Sequence, residues 1–148
     1  MYTDLRTARR LTLPIVALAV LIAGCAGEAE PGPVVTLQGG VKYQILKPGN
    51  GDTVRVGDNV TVHYTLWLPD GTMLDSSKEE RGGRGPYPTQ IGVGAVIPGW
   101  DLAVPGMVEG EVRKLWIPSE YAYGEAGRPG IPPNTELTFE VEVLSRRR

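Results

Sequence analysis

The chain has 148 residues, of which 41% are hydrophobic and 22% are charged, and its formal net charge at pH 7 is -2. This length suits one domain with a short appendage, and no basic stripe of the kind that nucleic-acid binding requires is present, so we expect no nucleic-acid partner. One cysteine excludes an intrachain disulfide, and one histidine argues against a zinc or iron centre, so neither a metal nor a cofactor is expected.

The first 25 residues have the organisation of an export signal. Three arginines precede an apolar run over residues 11–22, which falls short of the roughly 20 residues that a membrane-spanning helix needs. The run ends in Ala23-Gly24-Cys25, which resembles a bacterial lipobox. This resemblance implies a lipoprotein signal peptide over residues 1–24, export across the inner membrane, and lipidation of Cys25 as a membrane anchor in the cell envelope. The alternative is ordinary secretion with an unmodified cysteine.

Residues 25–39 are predicted to be the lipidated cysteine and a flexible tether. They contain mostly Gly, Glu, Ala and Pro, a composition that favours a chain without regular structure. The short apolar stretch 34–37 allows an alternative interpretation as an edge strand. The folded domain is predicted to occupy residues 40–148.

Alternation of apolar and polar residues predicts short strands throughout this domain. The last is the clearest, because the odd-numbered residues from Leu137 to Val143 are apolar and the intervening ones are polar. Asp70-Gly71 predicts a hairpin turn, and a charged, glycine-rich loop covers residues 78–85. The predicted strands are 41–46, 60–68, 73–75, 87–91, 112–117 and 137–143.

One short amphipathic helix is predicted between the fourth and fifth of these strands. Trp100, Ala103, Val104 and Met107 follow the i, i+3, i+4, i+7 spacing of a buried helix face. Pro98 suits a helix start, and Pro105-Gly106 ends the helix. The predicted fold is therefore α+β, with an antiparallel sheet of five to six strands whose apolar face is covered by one short helix.

Two other kinds of active site are weighed and set aside. Asp75, Ser76, Ser77 and His63 include the residue types of a hydrolase triad, but hydroxyls beside an acid at a strand end are common in turns and caps. Gly92-Val93-Gly94 resembles part of a dinucleotide-binding loop, but its third glycine is misplaced and no βαβ unit surrounds it. Neither hydrolysis nor nucleotide binding is expected.

Four segments of the domain carry a resemblance to a known family. They are VHYTLWLPDGTMLDSS, YPTQIGVGAVIPGWDLAVPGM, RKLWIPSEYAYGEAGRPGIPPN and TELTFEVEVL. In order and spacing, residues 40–145 resemble the FKBP-type peptidyl-prolyl cis-trans isomerases, and the lipobox makes the chain similar to a bacterial lipoprotein form. The resemblance implies a sheet wrapped around a short helix and an enzyme that accelerates X-Pro bond rotation in folding envelope proteins. It further implies proline-containing polypeptides as substrates, FK506-like macrolides as possible inhibitors, and a monomer.

The resemblance also implies a set of site residues. Trp100 would form the floor of an apolar pocket for the proline ring, and the Ile97 N–H would bind a substrate carbonyl. Tyr123, Asp75 and Tyr64 would be the catalytic polar groups, with Tyr123 as the hydrogen-bond donor and Asp75 orienting the Tyr64 hydroxyl. The remaining substrate-binding walls would be Val96, Leu74, Tyr87, Ile131 and Phe139. Leu74, Tyr87 and Thr89 depart from the aromatic residues that many members carry, which is expected to alter substrate preference and macrolide affinity.

Functions of other classes are also compatible with these residues. The same pocket and the loop at 78–85 could hold extended or proline-rich chains without catalysis, as a peptide-binding module or holdase chaperone. A structural envelope lipoprotein that uses the domain for protein contacts is a third interpretation.

Overall fold

The computed structural model describes residues 30–148. The predicted signal peptide and Cys25 lie outside these residues, so their processing and lipidation stay predictions. Within residues 30–148, no helix has both the length and the apolar character needed to cross a membrane.

The described residues form a seven-stranded antiparallel sheet with one α-helix, which confirms the predicted fold class with more strands than expected. The strands are β1 (Val34–Thr36), β2 (Lys42–Lys47), β3 (Asn59–Trp67), β4 (Met73–Ser76), β5 (Tyr87–Gln90), β6 (Val112–Ile117) and β7 (Leu137–Arg147). The helix is α1 (Pro98–Ala103), and short 3-10 turns lie at Gln38–Gly40, Glu79–Arg81 and Ser119–Tyr121. The strand order is β1-β2-β6-β7-β3-β4, with β5 also paired to β3.

The edge strand that was an alternative interpretation of residues 34–37 is present as β1. Val35 of β1 pairs antiparallel with Tyr43 of β2, and the Gly32 N–H donates to the Ile45 carbonyl at 2.8 Å. Leu37 packs against the core. The predicted domain boundary at residue 40 is therefore too late, because sheet pairing begins before it.

The centre of the sheet is β7, which pairs with β6 on one side and β3 on the other. Its burial alternates as the sequence predicts, with Leu137, Val141 and Val143 fully buried and Glu140 and Glu142 on the opposite face. A long strand paired on both sides gives the fold its rigid base, and α1 packs over the buried face.

The helix has the bounds that its flanking prolines predict. It begins at Pro98, whose fixed φ suits the first turn, and ends at Ala103, before Pro105-Gly106. Val104 caps it with helical φ and ψ, and Pro105 lacks the N–H that a further turn would use. Val104 and Met107 are fully buried although they lie beyond the helix, so the apolar spacing identifies core residues correctly.

The two strands on the far side of β3 divide that strand between them. Residues Asn59–Val62 pair with β5 and residues Thr65–Trp67 pair with β4, so the sheet opens around Tyr64. The chain between β4 and β5 leaves the sheet here and closes on itself, because the Gly85 N–H donates to the Ser77 carbonyl at 3.0 Å. We refer to residues 78–84 as the fork loop.

Candidate active site

A cavity of about 670 Å³ lies where the sheet opens around Tyr64, between α1 and the buried face of the sheet. All ten site residues predicted from the sequence line this one cavity: Tyr64, Leu74, Asp75, Tyr87, Val96, Ile97, Trp100, Tyr123, Ile131 and Phe139. They come from four strands, the helix and two loops, which shows that residues far apart in sequence converge. Their individual roles in binding and catalysis stay predictions.

The floor and one wall of the cavity are aromatic. Trp100 is 4% exposed and meets Phe139 edge-to-face, with ring centroids 5.5 Å apart. Tyr64 meets Trp100 and Tyr87 in the same way, each at 5.8 Å. Edge-to-face contacts of this kind are favourable and orient both rings. The cavity is thus built on packed rings that present apolar surface to a ligand.

Close packing of the helix fixes the position of Trp100. Gly99, immediately before it, lies so near the Ile117 side chain of β6 that a Cβ would collide with that side chain. Only glycine lets α1 approach the sheet this closely. The floor of the cavity is therefore set by β6 as well as by the helix.

The loop that precedes α1 forms a second wall and is held by the helix itself. The Asp101 carboxylate accepts the Gly92 N–H at 2.6 Å and the Gly94 N–H at 2.9 Å. Both N–H groups already donate to the Asp101 carboxylate, so Gly92 and Gly94 hold the loop in place as a wall of the cavity. Within the described residues the Ile97 N–H donates no hydrogen bond, which leaves it available for the predicted carbonyl contact.

Tyr64 and Asp75 form a polar pair at the cavity edge. The Tyr64 hydroxyl donates to Asp75 Oδ2 at 2.7 Å, which is the contact expected for Asp75. Burial of the phenol, and then its hydrogen bond to the Asp75 carboxylate, raise the pKa of Tyr64 well above its ordinary value. The folded chain thus keeps the Tyr64 proton at an alkaline pH at which a free tyrosine ionises.

Tyr123 lines the same cavity beside Arg128, a residue that was not predicted. Arg128 Nη1 donates to the Tyr123 hydroxyl oxygen at 3.0 Å, and its guanidinium lies 5.0 Å from the centre of the Tyr123 ring. Because the oxygen is used as an acceptor, the phenolic proton remains free to be donated to a ligand.

Five cavity residues were missed by sequence reasoning: Leu66, Gly94, Ala95, Arg128 and Pro129. Leu66 shares a strand face with Tyr64, and Ala95 adjoins Val96, so extending the predicted set along the chain would have found both. Arg128 and Pro129 were quoted in the motif but given no role. In contrast, Thr89, which was noted as a departure at a wall position, is not among the residues that line the cavity.

The residues considered for a hydrolase triad do not form one. His63 Nδ1 lies 3.0 Å from Ser77 Oγ, but that hydroxyl also accepts the Tyr64 N–H, and Ser77 is 5% exposed. Asp75 contacts Tyr64 instead of the histidine. Across residues 30–148 no cluster of three His, Cys, Asp or Glu side chains is placed to hold a metal ion.

Comparison with known proteins gives consistent matches. Residues 51–144 match the family model for FKBP-type peptidyl-prolyl cis-trans isomerases. FK506-binding protein 1 of Candida glabrata is 50% identical over 111 residues, covering 74% of this chain and 95% of the relative. Peptidyl-prolyl cis-trans isomerase FKBP12 of Arabidopsis thaliana is 50% identical over 111 residues, covering 72% and 97%. The crystal structure of FkpA from Escherichia coli superposes with a TM-score of 0.69 at 41% identity, covering 77% of this chain and 51% of FkpA.

Proposed function

The chain belongs to the FKBP-type peptidyl-prolyl cis-trans isomerases, and we propose that it catalyses X-Pro rotation in the cavity above Trp100, acting on proteins that fold in the bacterial cell envelope. The isomerase activity follows from the family. The observation that supports this cavity as the site is the convergence on it of all ten residues that the resemblance implied.

The chemistry required is rotation alone. The X-Pro bond has cis and trans forms of similar energy separated by roughly 18–20 kcal/mol, and uncatalysed exchange takes about 10–100 s. Reaching the millisecond range needs about 10⁴-fold acceleration, or roughly 5.5 kcal/mol of transition-state stabilisation. No bond is made or broken, so a site without a nucleophile suffices.

The cavity favours the twisted amide in two ways, through its apolar surface and through its hydrogen-bond donors. Twisting removes amide resonance and makes the carbonyl more like a ketone, so an apolar surface over Trp100 and Phe139 disfavours the more polar planar form. Hydrogen-bond donors that match the rotated carbonyl add binding energy only in the transition state. The free phenolic proton of Tyr123 and the Ile97 N–H are the donors that we assign to this task.

The envelope location rests on the sequence of residues 1–25. A basic segment, an apolar run and Ala23-Gly24-Cys25 together favour export and lipidation, and two or more acyl chains would hold the domain stably at a membrane. Mass spectrometry of the membrane fraction tests this anchor. A mature chain that begins with acylated Cys25 is expected, and a Cys25→Ser variant is expected in the soluble fraction.

The catalytic proposal is tested with the full-length chain in detergent. Exchange of short X-Pro peptides is followed by NMR, with and without FK506 as a ligand for the cavity. We expect acceleration that FK506 abolishes. If FK506 left the acceleration unchanged, the assignment as an isomerase would stand, but macrolide binding would be contradicted. A folded chain that accelerates no peptide would favour the holdase alternative, which suppression of aggregation of an unfolded protein would then test.

A further inference from the structure

We propose that Arg128 favours substrates with a carboxylate over those with an otherwise identical neutral side chain immediately before or after the proline. This inference rests on the proposed function of the cavity and names a substrate class for it. Its evidence is the charge balance of the cavity, the placement of Arg128 and the contact of its guanidinium with Tyr123.

The two charged residues of the cavity differ in the partners that the protein gives them. Arg128 and Asp75 are the two charged residues among those that line it. Asp75 accepts a hydrogen bond from Tyr64, whereas Arg128 contacts a neutral phenol. Ion pairs in the described part of the chain use Lys78, Arg113 and Arg146, so no carboxylate of residues 30–148 pairs with Arg128. A positive charge at the rim is therefore left for a ligand.

A rigid turn places this charge at the rim. The Arg128 N–H donates to the Ile131 carbonyl at 3.0 Å, and the Ile131 N–H donates back at 2.8 Å. Pro129 and Gly130, with φ of 86° at the glycine, occupy the two central positions, as a type II turn requires. Ile131 is 3% exposed and anchors the turn in the cavity wall. The backbone of Arg128 is thus fixed relative to the cavity wall.

The exposed guanidinium already contacts Tyr123 before any ligand arrives. One of its five N–H groups is donated to the Tyr123 hydroxyl, and its central carbon lies 5.0 Å from the centre of the Tyr123 ring. The remaining donors include a pair on one edge that can bind both oxygens of a carboxylate. Because the side chain is already held, less conformational entropy is lost on binding.

The test compares peptides that differ only in charge. Glu-Pro is compared with Gln-Pro, and Pro-Glu with Pro-Gln, using the full-length chain in detergent at low salt. We expect kcat/KM for the glutamate peptide to exceed that of its glutamine partner by about 3-fold in at least one pair, the size typical of a partly exposed charge pair. Arg128→Gln should bring the ratio near 1, Arg128→Glu should invert it, and high salt should reduce it.

The controls separate this inference from its premise. Arg55→Gln removes one exposed positive charge that does not line the cavity, and it should leave the ratio unchanged. A purely structural Arg128 would lower the rate for all peptides and leave the ratio intact, which would overturn the inference, as would a wild-type ratio near 1 in both pairs. If the wild-type chain accelerated no peptide at all, the proposed function itself would fail, and the inference with it.

Discussion

At the scale of single residues, the cavity depends on Trp100 more than on any other side chain. It contacts Phe139 and Tyr64 edge-to-face and is fixed by the close approach of Gly99 to Ile117. Its Nε1 finds no hydrogen-bond partner among the described residues, so its role is that of a large apolar surface. The family resemblance located this residue, whereas helical spacing alone would have made it an ordinary core residue.

Replacing Trp100 by Leu is expected to separate catalysis from folding. The smaller side chain removes the floor of the cavity, so kcat/KM should fall at least about 10-fold, a loss of roughly 1.4 kcal/mol in transition-state stabilisation. Loss of buried surface should lower the free energy of unfolding by about 2 kcal/mol, partly offset because an unpaired indole N–H is also removed. Peptide exchange and urea unfolding measure the two effects.

Trp116→Leu is the matched control for that experiment. Trp116 lies on β6 at a position that alternates with the buried residues, and it does not line the cavity. This variant should keep its activity. Parental rates for Trp100→Leu would show that the site has been assigned wrongly.

The raised pKa of Tyr64 predicts how stability depends on alkaline pH. The stability that depends on a protonated Tyr64 is fully present below the ordinary tyrosine pKa of about 10. Above that pH the unfolded chain ionises while the folded chain holds its proton, so stability is lost as pH rises. Between about pH 9 and 11, the Tm of Tyr64→Phe should therefore fall by less than the Tm of the wild type. Equal pH slopes in the two proteins would contradict a raised pKa in the folded state.

At the scale of elements, a buried ion pair ties the end of α1 to the sheet. Arg113 of β6 pairs with Glu111 and donates to the Ala103 and Gly106 carbonyls at 2.8 and 3.1 Å. Its guanidinium lies 4.2 Å from the centre of the Tyr43 ring. One side chain thus satisfies the carbonyl at the end of the short helix and another in the turn that follows it.

Arg113→Met is expected to destabilise the fold by about 3 kcal/mol, because it leaves the Glu111 carboxylate buried without its cation. Chemical denaturation measures this loss. The double variant with Glu111→Gln should recover part of it, since the buried charge is then removed. Lys114→Met, on the opposite face of β6, should stay within about 0.5 kcal/mol of the wild type. An equally small effect for Arg113→Met would show that the pair contributes little.

Some of these elements could be read from the sequence and others could not. The alternation of β7 and β6 follows directly from one buried and one open face, and it predicts the bounds of β6 and the start of β7, which continues past the predicted end at residue 143 to Arg147. In contrast, β1 has only three residues, too few for an alternating pattern, and it is held by pairing with β2. The end of α1 follows from Pro105-Gly106, whereas the apolar spacing alone would continue to Met107, which is buried after the helix has ended.

At the scale of the whole molecule, the sheet gathers its strands around β7 and opens at β3 to form the cavity. The resemblance was sufficient to predict ten of the fifteen residues that meet there. The side-chain contacts were less accessible, because hydrogen bonds such as Arg128 to Tyr123 and Asp101 to Gly92 depend on loop geometry. Composition and spacing carry no information on such contacts.

Truncation tests whether the fold truly begins before residue 40. A chain of residues 38–148 lacks β1 and Leu37, and therefore the hydrogen bonds that β1 makes to β2. Net gains of about 0.5–1.5 kcal/mol per hydrogen bond suggest that it will be about 2 kcal/mol less stable than residues 30–148. Guanidinium unfolding makes the comparison. Isomerase activity should survive, because β1 lies at the sheet edge away from the cavity, and equal stabilities would restore the boundary at 40.

The fork loop is closed at its base, which makes it a site of this fold where additional residues can be inserted. Ser77 and Gly85 are joined by a hydrogen bond, so a segment inserted between them leaves and re-enters the sheet at one point. Closing a longer loop adds only about 0.6 kcal/mol for each doubling of its length. Descendants of this chain could therefore acquire a second recognition module here by simple insertion, beside the opening at Tyr64, while the catalytic framework is inherited unchanged.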